Sequence, residues 1–237
     1  MLDQNCVTLA IIVVIIVWGI VAVTYWYENN QYKKSAYGKQ SKKSFLKLIK
    51  DQGARGEYRT SQILETAKFE KRFLFNCYIP NRSGDKTELD IVMISAKGIY
   101  IVENKNYSGW IFGDEQSKNW CETLKGKKYF FYNPVKQNKS HIKNLEKVLN
   151  IGQEKYISLI TFNRNANLKK INTESPDLYV KSYVQLKSFI KEQEKQANRL
   201  NHEEIENIYK TLFPSTQLSD QEKQEHIERI KKQYKKS

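Results

Sequence analysis

Cysteine is too scarce in this chain to organise it. Three stand among 237 residues, Cys6, Cys77 and Cys121, an odd number, far apart, without the paired spacing of a zinc site or a disulfide framework. Cys77 lies in an apolar, strand-like run and Cys121 follows Trp120, so both are expected as small core-filling residues in a reducing compartment. The glycine patterns of a Walker phosphate loop and of a Rossmann fold are also missing, as are zinc-finger spacing and any internal repeat. Acidic residues are outnumbered, 26 Asp and Glu against 40 Lys and Arg, for a formal charge of +14. Such a surplus attracts polyanions such as nucleic acid or anionic lipid, although lysine-rich surfaces also serve solubility alone.

Charge is absent altogether from Cys6 to Tyr25, and Ala10 to Val23 is almost wholly aliphatic. About 20 such residues, at roughly 1.5 Å rise each, cross a hydrocarbon core of roughly 30 Å. Residues 6–26 are therefore expected as a transmembrane helix. In lipid an unpaired peptide group costs more than the poor helix propensity of the β-branched residues. The flank before it carries Asp3 and no basic residue, and bulky Tyr25-Trp26-Tyr27 follows where a cleavage site would need small residues. That pattern reads as an anchor with an interfacial aromatic belt rather than a signal peptide. Lys33, Lys34, Lys39, Lys42, Lys43, Lys47 and Lys50 all lie after the helix. The positive-inside rule then gives a single-pass protein of the cell membrane, N-terminus outside and the remainder cytoplasmic, with the same lysines near anionic headgroups.

Residues 27–43 read as a polar, basic linker. From Ser44 the pattern turns helical, is interrupted at Gly53 and Gly56, and resumes through Tyr58, Ile63 and Leu64. Strands are expected at Phe73 to Ile79, Leu89 to Ile94 and Ile99 to Val102, with Ser95 to Gly98 as the turn between the last two. Short strands follow at Trp110 to Gly113 and Tyr129 to Tyr132, then a helix from Val135 to Leu149 after Asn133-Pro134. Tyr156 to Phe162 and Leu178 to Tyr183 are late strands, the first parallel to the earlier sheet because a helix precedes it. The order α-β-β-β-α-β implies an α/β domain with a mixed sheet over residues 44–183. Residues 184–237 form a charged helical region in three pieces, broken near Asn201 and at Pro214.

The stretch from Glu88 to Lys105 carries the chemistry. Glu103 and Lys105 are two apart at a strand end, so strand alternation puts both on one face. If the turn before them is symmetric, Asp90 stands directly across from Glu103 with Cβ atoms about 5 Å apart. Adjacent carboxylates repel unless a cation neutralises them, and hard oxygen donors suit Mg²⁺ or Mn²⁺. Lys105 would then position or help deprotonate a water and offset transition-state charge. A one-residue bulge at Gly98 would instead send Asp90 and Glu103 to opposite faces.

Gly53-Ala-Arg-Gly56-Glu57, Glu88-Leu-Asp90, Glu103-Asn-Lys105, Gly109-Trp-Ile-Phe-Gly113 and Asn133-Pro-Val-Lys-Gln137-Asn138 resemble, in order, the motifs of the nuclease-related domain. That family is similar to the PD-(D/E)xK nucleases, whose core is restriction-endonuclease-like. The resemblance covers about half the chain, residues 46–165. It implies a metal held by Asp90 and Glu103 with Glu57 contributing from the first helix, a catalytic Lys105, and Gln137 from the later helix. Nucleic acid, DNA ahead of RNA, is the implied partner. Glu57 shares a helical line with Leu64 and so is placed to face inward.

Other residues carry weaker signals. Lys125, Lys127, Lys128, Lys136 and Lys139 flank the supposed site and could contact phosphates, or form a solvated face. His141, one turn after Gln137, could reach a phosphate, but a lone histidine in a lysine-rich helix is expected to be exposed. Trp110 and Trp120 are expected in the core rather than stacked on bases. The C-terminal helices could recruit a protein partner. The expected function is phosphodiester hydrolysis in nucleic acid at the cytoplasmic membrane face, the alternative a non-catalytic membrane-tethered nucleic-acid-binding or scaffold module.

Overall fold

A computed structural model describes residues 4–234; Asp3 of the anchor flank and the last three residues of the C-terminal region lie outside the described residues. The apolar segment forms helix α1, Gln4–Lys34. Its most apolar 18 residues have a mean hydropathy of 3.1 and are wholly unburied, so it is long and apolar enough to cross a membrane.

The helix does not end where the apolar residues do. It continues through the stretch expected to be a linker, and α2, Ala36–Ser41, follows, its amide at Gly38 capped by the Ser35 hydroxyl. Tyr32 and Tyr37 from this stretch are buried. Tyr32 packs on Phe45 and Tyr58, and Tyr37 on Phe75 with ring centroids 4.9 Å apart. Residues 28–43 are therefore docked, not a loose tether: two aromatic rings find apolar partners, and that burial outweighs the polar residues around them.

Helix α3, Phe45–Lys50, and helix α4, Gln52–Glu65, are separated at Asp51, whose carboxylate caps α4 through the Ala54 amide. The break is thus an N-cap, and Gly53 and Gly56 lie inside α4 instead of interrupting it.

The main sheet runs in the order β1-β2-β3-β7-β9. Strands β1 (Lys71–Pro80), β2 (Lys86–Ser95) and β3 (Gly98–Lys105) are antiparallel; β7 (Tyr156–Phe162) and β9 (Leu178–Ser182) continue it in parallel. Strand alternation divides its side chains between two layers. Ile91, Met93, Tyr100 and Val102 pack with Tyr58 and Leu64 of α4 and with Phe189 of α6, Leu186–Glu194. Val92, Ile94, Ile99 and Ile101 pack with Ile142 and Leu145 of α5, Pro134–Leu149, and with Ile205 and Ile208 of α7, His202–Leu212. Each such side chain contributes about 1.5–3 kcal/mol on burial. The α-β-β-β-α-β order is borne out as α4, β1, β2, β3, α5 and β7, with β3 and β7 parallel as expected.

Between β3 and α5 the chain builds a second sheet, order β6-β5-β4-β8, from β4 (Gly109–Asp114), β5 (Asn119–Leu124), β6 (Lys127–Tyr132) and the later β8 (Ala166–Asn172). Strands β5 and β8 were not legible in the sequence. Trp120 is buried against this sheet's core, but Trp110 is 52% exposed, contrary to expectation. Cys77 is a buried core residue; Cys121 is only half-buried. The C-terminal region has the expected breaks: Asn201 caps α7, Pro214 follows it, and α8, Asp220–Tyr234, completes the described chain.

Candidate active site

The turn between β2 and β3 is a two-residue hairpin with no bulge, since Ser95 pairs with Gly98 and the register holds to Ile91 opposite Val102. Carried one step past that last pair, the register sets Asp90 beside Glu103, and the Glu103 charge acts on Asp90. Both acids therefore face the α5 layer, as do Gln137 and His141 of that helix. Lys105 Nζ lies 2.8 Å from Glu103 Oε1 and donates to Gln137 Oε1 at 3.0 Å. His141 Nε2 lies 3.4 Å from Glu103 Oε2, and its Nδ1 3.4 Å from the Thr87 hydroxyl. An Nε2–H tautomer serves both contacts. His141 is thus buried in the site, not exposed.

Its signal was the helix face it shares: Gln137, Asn138, His141 and Asn144 recur at three- and four-residue spacing, and three of these polar residues are buried. Asn138 donates to the Ile101 carbonyl and Ser158, which seats α5 on the sheet. Asn133 caps the helix at the Val135 amide and donates to the carbonyls of Asp114, Glu115 and Ser117. In the second sheet, a Cβ at Gly113 would fall 2.2 Å from the Trp120 ring, so that glycine admits the indole.

Asn104, between Glu103 and Lys105, faces the other layer. Its side-chain oxygen accepts from Thr60 at 3.0 Å and Thr161 at 2.9 Å, and its backbone amide donates to Asp90 Oδ2 at 2.8 Å. A Cβ at Gly56 would lie 2.4 Å from Asn104 Nδ2, so α4 approaches this closely only because a glycine stands there. Glu57, the next residue, hydrogen-bonds Tyr37 at 2.9 Å and Asn76 at 3.4 Å. Asn76 adopts a left-handed φ of 51°.

The charges are unevenly neutralised. Burial, then the charges of Glu103 and Glu57, push the Asp90 carboxyl well above its usual range. Burial and the nearby Glu88 raise Glu57 to about 7, against the Tyr37 hydrogen bond. Burial would raise Glu103 too, but the His141 hydrogen bond and the Lys105 charge hold it below its ordinary value. The Lys105 ammonium acts on Glu103 and Asp90, while Glu57, on α4, is engaged by Tyr37 and Asn76. The buried carboxyls of Asp90 and Glu103 are hard oxygen donors of the kind that suits a divalent cation such as Mg²⁺ or Mn²⁺. Elsewhere Glu70, His202 and Glu206 bring three ligand atoms within 4.8 Å, yet Arg72 already lies 2.6 Å from Glu206 and His202 2.6 Å from Glu70.

Lys105 forms one wall of a cleft of about 410 Å³ whose other lining includes Arg55, Gly56, Arg59, Asn106 and Arg164. These arginines were not singled out in the sequence, because they are scattered over α4 and the β7–β8 turn. The lysines that were singled out lie elsewhere. Lys136 donates to the Gln116 carbonyl and Lys139 pairs with Glu115 at 2.6 Å, while Lys125, Lys127 and Lys128 project from the β5–β6 hairpin.

A family model described as the nuclease-related domain matches residues 52–163. An uncharacterized Bacillus anthracis protein, pXO1-01, is 31% identical over 154 residues, which span 65% of this chain and 71% of the relative. A crystal structure of a protein of unknown function covers 79% of this chain and 100% of its own at 14% identity, with a TM-score of 0.35.

Proposed function

Because the chain belongs to the nuclease-related domain family, we propose that it is a metal-dependent nuclease, anchored by α1, that hydrolyses phosphodiester bonds of nucleic acid at the cytoplasmic face of the membrane. The observation that carries this reading is the chain of contacts from Glu103 to Lys105 and from Lys105 to Gln137, beside the buried Asp90, with Lys105 also lining the arginine-rich cleft.

Asp90 and Glu103 would hold Mg²⁺ or Mn²⁺, with Glu57 completing the acidic wall. The cation supplies a more acidic water and stabilises charge on a phosphoryl oxygen. Lys105 gives one of its three protons to Glu103 and one to Gln137, which leaves a third for a phosphoryl oxygen in the cleft. Gln137 and Glu103 fix the direction of the amine, and His141 and Thr87 fix Glu103 in turn. Arg55, Arg59 and Arg164 are placed to track the phosphate backbone through the cleft. The cytoplasmic placement is supported by the lysines that follow the apolar helix.

The test is incubation of the full chain, in detergent or nanodiscs, with single- and double-stranded DNA and RNA, with and without Mg²⁺ or Mn²⁺. Cleavage is expected only with the metal, and is expected to vanish in Asp90→Ala and Lys105→Ala without loss of fold. Metal-dependent cleavage persisting in both variants would refute the assignment. Tight binding that ignores chelator, with no cleavage of any substrate, would make the domain a binding module instead.

A further inference from the structure

The second sheet has one face in the core and one in solvent, and the solvent face is not a polar one. The register fixes which side chains share it. Phe112 pairs with Cys121 and Cys121 with Phe130, forming one row across β4, β5 and β6; Trp110, Thr123 and Lys128 form the next. Tyr132 lies two residues beyond Phe130 on β6, on the same face at a spacing of about 7 Å. The residues between them point the other way: Ile111, Trp120 and Phe131 belong to the core on the inner face.

The outer rings are open. Phe130 is 72% exposed, Trp110 52% and Tyr132 45%. Lysines stand among them. Lys169 of β8 places its Nζ 4.8 Å from the Trp110 ring centroid, and Lys128 sits in the same row as Trp110. Exposed rings gathered on one sheet face, interleaved with ammonium groups, call for a ligand that offers flat apolar surfaces and negative charge together.

We propose that this face binds single-stranded nucleic acid, its bases stacked on Trp110, Phe130 and Tyr132 and its phosphates met by Lys128 and Lys169. The inference rests on the reading of the adjoining cleft as a nucleic-acid site, and continuity with that cleft favours this occupant. Asn106 and Asn165 line the cleft. Gly109, which directly precedes Trp110, pairs with Ala166 and donates its amide to the Asn165 carbonyl. A strand leaving the cleft would pass directly onto the aromatic face. A duplex keeps its bases stacked on one another and offers the rings nothing, so the face selects single strands.

The experiment is fluorescence anisotropy of the full chain in zwitterionic nanodiscs with labelled oligothymidylate and with a duplex of equal length, all in chelator so that no cleavage occurs. Trp110→Ala combined with Phe130→Ala is expected to weaken oligothymidylate binding by about tenfold or more, with duplex binding little altered. Trp110→Phe combined with Phe130→Tyr keeps flat rings and is expected to restore affinity, which separates stacking from damage to the sheet. Unchanged oligothymidylate affinity in the alanine variant would overturn the proposal, as would an equal loss on the duplex. So would loss of binding to mixed phosphatidylcholine–phosphatidylserine vesicles alone, which would make this a membrane-facing surface. Because the readout is binding without metal, it stands apart from whether the acidic site cleaves.

Discussion

The Tyr37 hydroxyl donates a 2.9 Å hydrogen bond to Glu57 Oε2, joining the segment that follows the apolar helix to the acidic site. The Tyr37 ring is fully buried against Phe75 and Tyr58, so the segment is part of the domain rather than its leash. Tyr37→Phe keeps that packing and, above the Glu57 value of about 7 where the acceptor is charged, loses a bond that costs about 1.5–3 kcal/mol in chemical denaturation. A fragment of residues 44–237 also strips the rings from Tyr58 and Phe75 and is expected to melt well below one of residues 28–237. Equal melting of the two would show that the docking contributes nothing.

Gly56→Ala drives a methyl group into Asn104 Nδ2, while Thr60 and Thr161 hold the amide by its Oδ1. The Asn104 amide must turn away from its bonds to Thr60 and Thr161, which loosens the residue between Glu103 and Lys105. The expected result is a loss of cleavage of about tenfold or more, since small displacements of positioned groups are costly, with a modest fall in melting temperature. Wild-type rates in this variant would show that the site tolerates movement of Asn104.

The cleft arginines should reveal themselves through salt. Arg59→Ala and Arg164→Ala are each expected to weaken nucleic-acid binding in chelator and to reduce the slope of log affinity against log salt by roughly one. Unaltered slopes would remove both residues from the binding path.

Glu115 gives a prediction about acid. Burial alone would raise its carboxyl, but Lys139, Ser175 and the amides of Glu174 and Ser175 hold it down at about 2. A carboxyl lowered in the folded state stabilises fully above its unfolded pKa of about 4.3, and that contribution fades as pH falls toward the folded value. Glu115→Gln is expected to lower stability at neutral pH and to flatten its decline between about pH 4.3 and 2. A wild-type acid profile in the variant would refute the linkage.

The sequence showed the central hairpin because a tight turn between two strongly apolar strands leaves one register that buries both faces, and that register brought Asp90 to Glu103. It hid what is decided at a distance. Strand β8 reads Ala-Asn-Leu-Lys-Lys-Ile-Asn, mostly polar because it edges the second sheet, and β5 buries Trp120 and Glu122, of which only the tryptophan is apolar. Tyr32 and Tyr37 looked like residues of a linker, since nothing local announces that Tyr58 and Phe75 await them. His141 gave a misleading cue: lysines beside it belong to the helix's wet side, while it points inward at Glu103. The arginines of the cleft converge only once α4 and the β7–β8 turn are folded together.

Helix α1 runs unbroken from its lipid-soluble part to Lys34, and Tyr25, at the boundary, already touches Phe45 with ring centroids 5.4 Å apart. Among the described residues only Ser35 separates α1 from α2, and Tyr32 and Tyr37 of this stretch pack on the domain. If α1 lies in a bilayer and the cleft is the nuclease site, as proposed, a lean of the rod would be carried into how the cleft meets its substrate, and bilayer thickness would become a setting for it.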